Sequence, residues 1–416
     1  MSNDRLIIQG GKPLFGDVKI SGAKNAVLPL ISISLLFDKS FTLKNVPDLA
    51  DTRLMIKLIN ALGVMTKFYD GVIDFHGEPQ NIEAPKELVS KMRASILVLA
   101  PLLSKRHNAL IPMPGGCEIG ERPINYHIDA LKQLGAETYL QNGYLRATLP
   151  QGKFIGNEIK FPQVSVGATE CAIMAATLAT GKTKIYNAAQ EPEIVDLGNC
   201  LNLAGANVKG LGTDIIEIEG VSKLNPITYS VIPDRIEAGS FAIIAGITKG
   251  ELNLLNSNPN DLKAFFKKLK QTNVRVEVYN DTVKIKGVSE IVPVNIQTEP
   301  HPGFPTDLQA QFMSLMCIAN GKSVIEENIF ENRFMHVPEL SKMKASIKID
   351  GNKAIVDGVK QLQGASVKAT DLRASMSLIA ASLNANGESV VNDLSHLKRG
   401  YENFEEKLFN IGAHIR

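Results

Sequence analysis

One pattern returns six times along this chain at a spacing near 70 residues, and it narrows what the chain can fold into. Each copy ends an apolar helix in Gly-Ala or a variant, then runs through a short alternating strand, a turn and a second strand. The copies are LINALGVMTKFYDGVIDFHGE, LKQLGAETYLQNGYLRATLPQG, LNLAGANVKGLGTDIIEIEGV, LKQTNVRVEVYNDTVKIKGV, LSKMKASIKIDGNKAIVDGV and LFNIGAHIR. Their helix-stop residues are Gly63, Gly135, Gly205, Asn273, Lys344 and Gly412. Gly, or Asn at 273, suits a left-handed helix cap, so Lys344 must either accept strain or end its helix differently. The turns DG, NG and ND support hairpins.

The last copy stops after its first strand, while the chain opens on LIIQGGKPLFGDVKISG, which reads as the missing half. Residues 1–23 are therefore expected to supply strands to the C-terminal lobe. A first lobe of three repeats spans 24–233 and a second of three spans 234–416. The fold class is α/β (α+β).

Each repeat also holds a helix rich in Ala, Ser, Gly, Leu and Ile: KNAVLPLISISLL, MRASILVLAPLLS, SVGATECAIMAATLATG, RIEAGSFAIIAGITKG, TDLQAQFMSLMCIAN and TDLRASMSLIAASLNANG. A helix apolar all round must be interior. The starts of these six carry Lys24 and Asn25, Arg93, Ser165, Arg235, Asp307, and Asp371 with Arg373. Taken singly, Ser165, Asp307 or Asp371 reads as an N-cap. Taken together, with four cations and six helix dipoles, the set describes an anion-binding cleft.

One stretch falls outside the repeat, PGGCEIGERP from Pro114 to Pro123. Its glycines and prolines exclude a helix or central strand and put Cys117 in irregular backbone. A usable thiol and a plain surface cysteine both fit that placement, since the nearby cation is Arg122. Cys171, Cys200 and Cys317 lie in small-apolar helical stretches and read as buried small hydrophobes. Four cysteines without pairing pattern suit a reduced, cytosolic compartment.

Lys plus Arg is 45 against Asp plus Glu 43, which gives no basic field for nucleic acid or an anionic membrane, so the expected partner is a small molecule. No apolar run approaches the ~20 residues of a membrane span. TGKT at Thr180–Thr183 and NGKS at Asn320–Ser323 lack the earlier glycine of a phosphate loop and follow a helix, so they read as helix stops. The seven histidines form no ligand pair, which gives metal catalysis no support. His127 either contacts a ligand or packs a helix.

Ten stretches in order, SGAKN, MRASILVLAPLL, PGGCEIGERP, SVGATE, NAAQEPEIVDL, PDRIEAG, FPTDLQAQF, FENRFMHVPEL, ATDLRAS and RGYEN, cover essentially the full length. Through them the chain closely resembles the enolpyruvyl transferase family, in particular its members acting on UDP-N-acetylglucosamine. The resemblance implies a two-domain inside-out α/β barrel of six βαβαββ repeats. It implies transfer of the enolpyruvyl group of phosphoenolpyruvate to the 3'-hydroxyl of UDP-N-acetylglucosamine with release of phosphate, in a cytoplasmic monomer that uses no cofactor.

On the matching positions the resemblance makes Cys117 the general acid, open also to covalent adducts with phosphoenolpyruvate or an epoxide phosphonate such as fosfomycin, and Asp307 the base. Lys24, Arg122 and Arg399 resemble the phosphate-binding set. Arg333 and Arg373 lie toward the carboxylate, with Asp371 holding that network and Asn25 and Arg93 completing it. The nucleotide side is matched by Arg122, Pro123, Ile124, Asn125 and Tyr126, by Gln163, Val164, Ser165, Val166 and Gly167, and by Ile329 through its backbone. Asn125 stands where Asp is common and Gln163 where Lys is common, which puts those nucleotide contacts in question. Rival readings are 5-enolpyruvylshikimate-3-phosphate synthase, which lacks the cysteine loop, a non-catalytic sugar-nucleotide-binding paralogue, and a thiol hydrolase.

Overall fold

Six sheets repeat one topology in this computed structural model, which describes residues 5–114 and 124–416. Phe15–Lys19 runs parallel to Glu251–Leu255, which pairs antiparallel with Thr282–Lys286, and that strand pairs antiparallel with Arg275–Tyr279. Four other sheets keep this order. The remaining one, Asn108–Pro112, Tyr144–Thr148 and Glu137–Gln141, has three strands, its parallel partner reduced to a bridge from Glu83 to Leu110. No sheet closes on itself among the described residues, so the repeats form separate sheets rather than a hydrogen-bonded barrel.

The described residues divide into two units, one of residues 5–21 with 233–416 and one of 22–114 with 124–232, each owning three sheets. In the first unit Arg5–Gln9 lies between Glu388–Asn392 and His414–Ile415, completing the sixth repeat's hairpin from the other end of the chain. Ile7 and Arg416 exchange two backbone hydrogen bonds, at 2.9 and 3.0 Å. In the second, Thr228–Ser230 likewise returns to pair with Phe41–Lys44.

The small-residue helices are interior, as their composition requires. Arg235–Ile247 is buried from Ile236 to its end, and Leu372–Asn384 from Arg373 to Leu383. Three of the six are only partly α-helical: Lys24–Ser32 continues as a 3₁₀ turn, while Arg93–Val98 and Thr306–Leu308 are 3₁₀ turns that lead into α-helix. Cys171, Cys200 and Cys317 are buried within this packing; burial pushes the Cys171 and Cys317 thiols up to about 12 and raises Cys200 as well. Thr180–Thr183 and Asn320–Ser323 are turns from helix to strand, with Gly181 and Gly321 at positive φ.

All six helix-stop residues sit in the left-handed region, from φ 67° at Lys344 to 108° at Gly63. In five repeats the next residue's amide reaches back to the carbonyl five positions earlier, as Val64 to Ile59 and Ala345 to Leu340 do. That is the Schellman closure, which glycine forms without a Cβ penalty. Lys344 is exposed and forms the same closure at the expense of its side chain, through strain of ~1 kcal/mol or more. Lys344→Gly is therefore expected to stabilise by ~0.5–1 kcal/mol after the extra unfolded-chain entropy of glycine. A rise of ~1–3 °C in the unfolding midpoint would show it; a fall would contradict it.

A second device recurs in three of the six sheets, just past the strand that pairs with the parallel neighbour. Asn45, Asn187 and Asn256 hold φ of 54°, 56° and 56°. Each side-chain amide donates to a carbonyl just past the parallel neighbour strand, Val231, Phe161 and Ile20, at 2.8, 3.0 and 3.3 Å. These asparagines fix the take-off of the loops that follow in their three repeats.

Candidate active site

In the first unit two arginines converge on one carboxylate, Arg373 from a helix start and Arg333 from the loop before Val337–Lys342. Asp307 lies in the 3₁₀ turn Thr306–Leu308 and caps nothing; Oδ1 accepts from Arg333 Nη2 at 2.6 Å and Oδ2 from Arg373 Nη2 at 2.7 Å. Both guanidiniums are about 95% buried while Asp307 keeps a quarter of its side chain exposed, so the carboxylate is the solvent-facing member. Charge-assisted bonds this short are among the stronger hydrogen bonds a protein makes. The pair of arginines still carries one positive charge more than Asp307 offsets, and Arg333 Nε finds no acceptor among the described residues.

Arg373 stays protonated despite its site. Burial, the largest influence, lowers its pKa, but Asp307, Tyr401 and Asp234 together hold it above the ordinary arginine value. Asp371 acts as the N-cap of Leu372–Asn384, accepting from the Arg373 and Ala374 amides at 2.8 and 3.1 Å, so it aims Arg373 through the backbone. Near it, His336 is fully buried and pushed down to about 4 by burial, with Arg333 adding to the shift and Asp371 opposing it. Arg399 ends the 3₁₀ turn Leu394–Arg399 and is half-buried, and Arg235 opens its helix behind the Asp234 cap.

Two residues that sequence reasoning passed over organise this half. Glu327 is buried and accepts from Thr298 Oγ1, Thr306 Oγ1 and the amides of Ile329 and Phe330, at 2.9 to 3.2 Å. It thereby shapes the turn that delivers Arg333, and it commits the Ile329 amide, so a ligand at Ile329 would meet its carbonyl. Tyr401, in the RGYEN stretch, is buried beneath Arg373.

In the second unit Lys24 opens the Lys24–Ser32 helix and pairs with buried Asp51 at 3.2 Å; Asn25 follows it, half-buried. Arg93 begins its 3₁₀ turn beside His127, whose pKa falls to about 4 through burial and then Arg93. His127 packs a helix: a Cβ on Gly167 would lie 2.8 Å from its Nε2, so Gly167 is the residue that admits the ring. Ser165 caps Val166–Thr177, accepting from the Ala168 amide at 3.4 Å. Gln163, Val166 and Asn125 are exposed, Val164 and Tyr126 half-buried, and Ile124 buried. Glu170, inside the same helix, is pushed well above the carboxylate range by burial, then by Glu193 and Glu191. Cys117, Arg122 and Pro123 lie outside the described residues. Among the described residues no group of three or more His, Cys, Asp or Glu side chains is placed to hold a metal ion.

Such a chemistry of buried cations and one carboxylate suits a small dianionic or carboxylate substrate and a hydroxyl to be deprotonated. Known proteins give that chemistry a family. Residues 8–408 match the family model described as EPSP synthase (3-phosphoshikimate 1-carboxyvinyltransferase). A UDP-N-acetylglucosamine 1-carboxyvinyltransferase of Desulfosudis oleivorans is 49% identical over 414 residues, 99% of either chain. Another of Novosphingobium aromaticivorans is 49% identical over 420 residues, 99% of this chain and 98% of that one. Among solved structures, the enolpyruvyl transferase NikO from Streptomyces tendae superposes with a TM-score of 0.89 at 24% identity, covering 99% of this chain and 98% of that one. EPSP synthase from Acinetobacter baumannii gives 0.78 at 18%, covering 99% of each. The two structures share the fold, and the two sequences, matched end to end at half identity, place this chain in the EPSP synthase (3-phosphoshikimate 1-carboxyvinyltransferase) family, on its UDP-N-acetylglucosamine 1-carboxyvinyltransferase branch.

Proposed function

We propose that this protein transfers the enolpyruvyl group of phosphoenolpyruvate to the 3'-hydroxyl of UDP-N-acetylglucosamine and releases phosphate, the step that commits the sugar nucleotide to peptidoglycan in the cytoplasm. The observation that carries the reading is Asp307 held by the buried pair Arg333 and Arg373. That arrangement is a carboxylate site already filled by the protein's own carboxylate.

An incoming phosphoenolpyruvate carboxylate takes the two guanidiniums, and Asp307, released from them, turns to the acceptor hydroxyl as base. Cys117 protonates the methylene carbon, and positive charge develops on the neighbouring carbon. The 3'-oxygen bonds there as Asp307 takes its proton. Elimination then returns a proton from the methyl carbon to the Cys117 thiolate, and the carbon–carbon double bond re-forms as the bond from the neighbouring carbon to the phosphate oxygen breaks and phosphate leaves. Lys24, Arg122 and Arg399 stabilise the phosphate throughout. Asn25 completes the ring around phosphoenolpyruvate, while Arg93, the Asn125–Tyr126 and Gln163–Gly167 stretches and the Ile329 carbonyl receive the nucleotide. Cys117 is competent as an acid mainly in the ligand-filled site, because the bound dianion opposes the thiolate that Arg122 would favour and so keeps the proton on sulfur for donation.

Phosphate release from phosphoenolpyruvate tests the reading. Wild-type protein should release phosphate with UDP-N-acetylglucosamine and not with shikimate 3-phosphate, and Cys117→Ala should lose turnover by ~10²-fold or more. Release with the shikimate ester alone would move the chain to the sister activity, and release with neither would sink the transferase reading.

A further inference from the structure

Behind the arginine pair, one phenol joins the three central helices of its unit. Tyr401 Oη lies 2.8 Å from Ser240 Oγ on the Arg235–Ile247 helix and 3.4 Å from Gln311 Nε2 on Gln309–Met316. It accepts from Arg373 Nη1 on Leu372–Asn384 at 3.4 Å. The Tyr401 ring lies under the Arg373 guanidinium, 6.0 Å from ring centre to carbon, and is braced edge-on by Phe404 at 5.8 Å. Tyr401 is 4% exposed, and the Gln311 amide that meets it also donates to the Asp307 carbonyl at 3.1 Å.

Arg373 thus divides its two terminal nitrogens. Nη2 is spent on Asp307, the group that must leave for phosphoenolpyruvate to bind, and Nη1 on Tyr401, which stays. A long side chain that loses its only fixed partner recovers rotamer freedom, and that entropy opposes binding of the next anion. A second, buried acceptor keeps the guanidinium plane in place while its carboxylate partner is exchanged.

We propose that Tyr401 is a positioning residue for substrate binding: its hydroxyl, held by Ser240 and Gln311, keeps Arg373 oriented as Asp307 gives way to the carboxylate of phosphoenolpyruvate. The proposal rests on the reading that Arg333 and Arg373 take that carboxylate. Because the phenol sits behind the guanidinium, it acts on the carboxylate end of one substrate and leaves the sugar nucleotide untouched.

Tyr401→Phe keeps the ring and its packing on Phe404 and removes only the hydroxyl. The hydroxyl's bond to a charged group is worth about tenfold in affinity. KM for phosphoenolpyruvate and its Kd by calorimetry should both rise about tenfold, with KM for UDP-N-acetylglucosamine within twofold of wild type. Ser240→Ala, which loosens the phenol from behind, should shift the same two quantities by about threefold and decides the matter if the phenylalanine variant does not fold. A phosphoenolpyruvate Kd within twofold of wild type in a folded variant, or an equal change for both substrates, overturns the proposal and leaves Tyr401 a packing residue. Wild-type protein that binds phosphoenolpyruvate without turning over would instead defeat the transferase reading, while the calorimetric comparison still decides the role of Tyr401.

Discussion

Asp307→Asn should lower kcat by ~10²–10⁴-fold, the usual worth of a general base, while the affinity of the free protein for phosphoenolpyruvate increases. The two effects have one source. The carboxylate proposed to take the proton also offsets one of the two charges of Arg333 and Arg373, at 2.6 and 2.7 Å. Asparagine removes the base and removes the competitor for the arginines. It also leaves two buried guanidiniums without an anion, which costs stability, and phosphoenolpyruvate should restore more of the unfolding midpoint in the variant than in wild type, because the ligand's contribution grows with its affinity. Steady-state kinetics and a ligand series of melts check this. A kcat within tenfold of wild type would remove Asp307 from the role of base, and weaker phosphoenolpyruvate binding would show that it does not compete for the arginines.

Lys407→Met is expected to destabilise the protein by ~3–5 kcal/mol near neutral pH, the cost of a buried charge left alone. Lys407 Nζ bonds Glu237 Oε1 at 2.6 Å and Ser21 Oγ at 2.7 Å, and the Ser21 amide donates to the other Glu237 oxygen at 2.7 Å. Glu237 is 2% exposed. Burial raises its pKa above the ordinary carboxylate value, while Lys407 and the Ser21 amide pull it back. Without Lys407 the upward shift grows. The folded form then keeps a proton that the unfolded chain has released, so stability falls as pH rises from the unfolded value through the folded one. Urea melts at pH 5 and pH 8 should therefore show the smaller loss at pH 5; an equal loss at both would show that Glu237 does not carry the effect.

How legible each part was depended on how local its cause is. The helix stops were readable because a left-handed cap needs a residue type within one turn, and even Lys344 takes the conformation that its position in the repeat demands. Interior helices were readable because a run such as IMAATLA has no polar face to expose. Ser165 and Asp371 act as the caps that their places at helix starts suggested. Asp307 stood at an equivalent place and does something else, since its partners lie 26 and 66 residues away and no local rule brings them near. Glu327 was missed because its value is in four donors gathered from three segments. Tyr401 was missed because a tyrosine beside a glycine in RGYEN reads as an ordinary aromatic; only the fold puts Ser240, Gln311 and Arg373 around its hydroxyl.

The strand Arg5–Gln9, seated between Glu388–Asn392 and His414–Ile415, has a consequence for how a ribosome must deliver this protein. The 22–232 unit has all of its strands once its own last one, Thr228–Ser230, has emerged, and it is free to fold while the rest is still being made. Arg5–Gln9 leaves the ribosome long before either of its partner strands. Phe15–Lys19 waits for Glu251–Leu255, and Arg5–Gln9 waits for Glu388–Asn392 and His414–Ile415. Until those partners emerge the nascent protein carries an open strand edge, with Leu6 and Ile8 as apolar residues ready to pair with the wrong neighbour. The charged and glycine-rich segment around them, Arg5 and then Gly10–Gly11–Lys12, is the protection the chain itself provides during that wait.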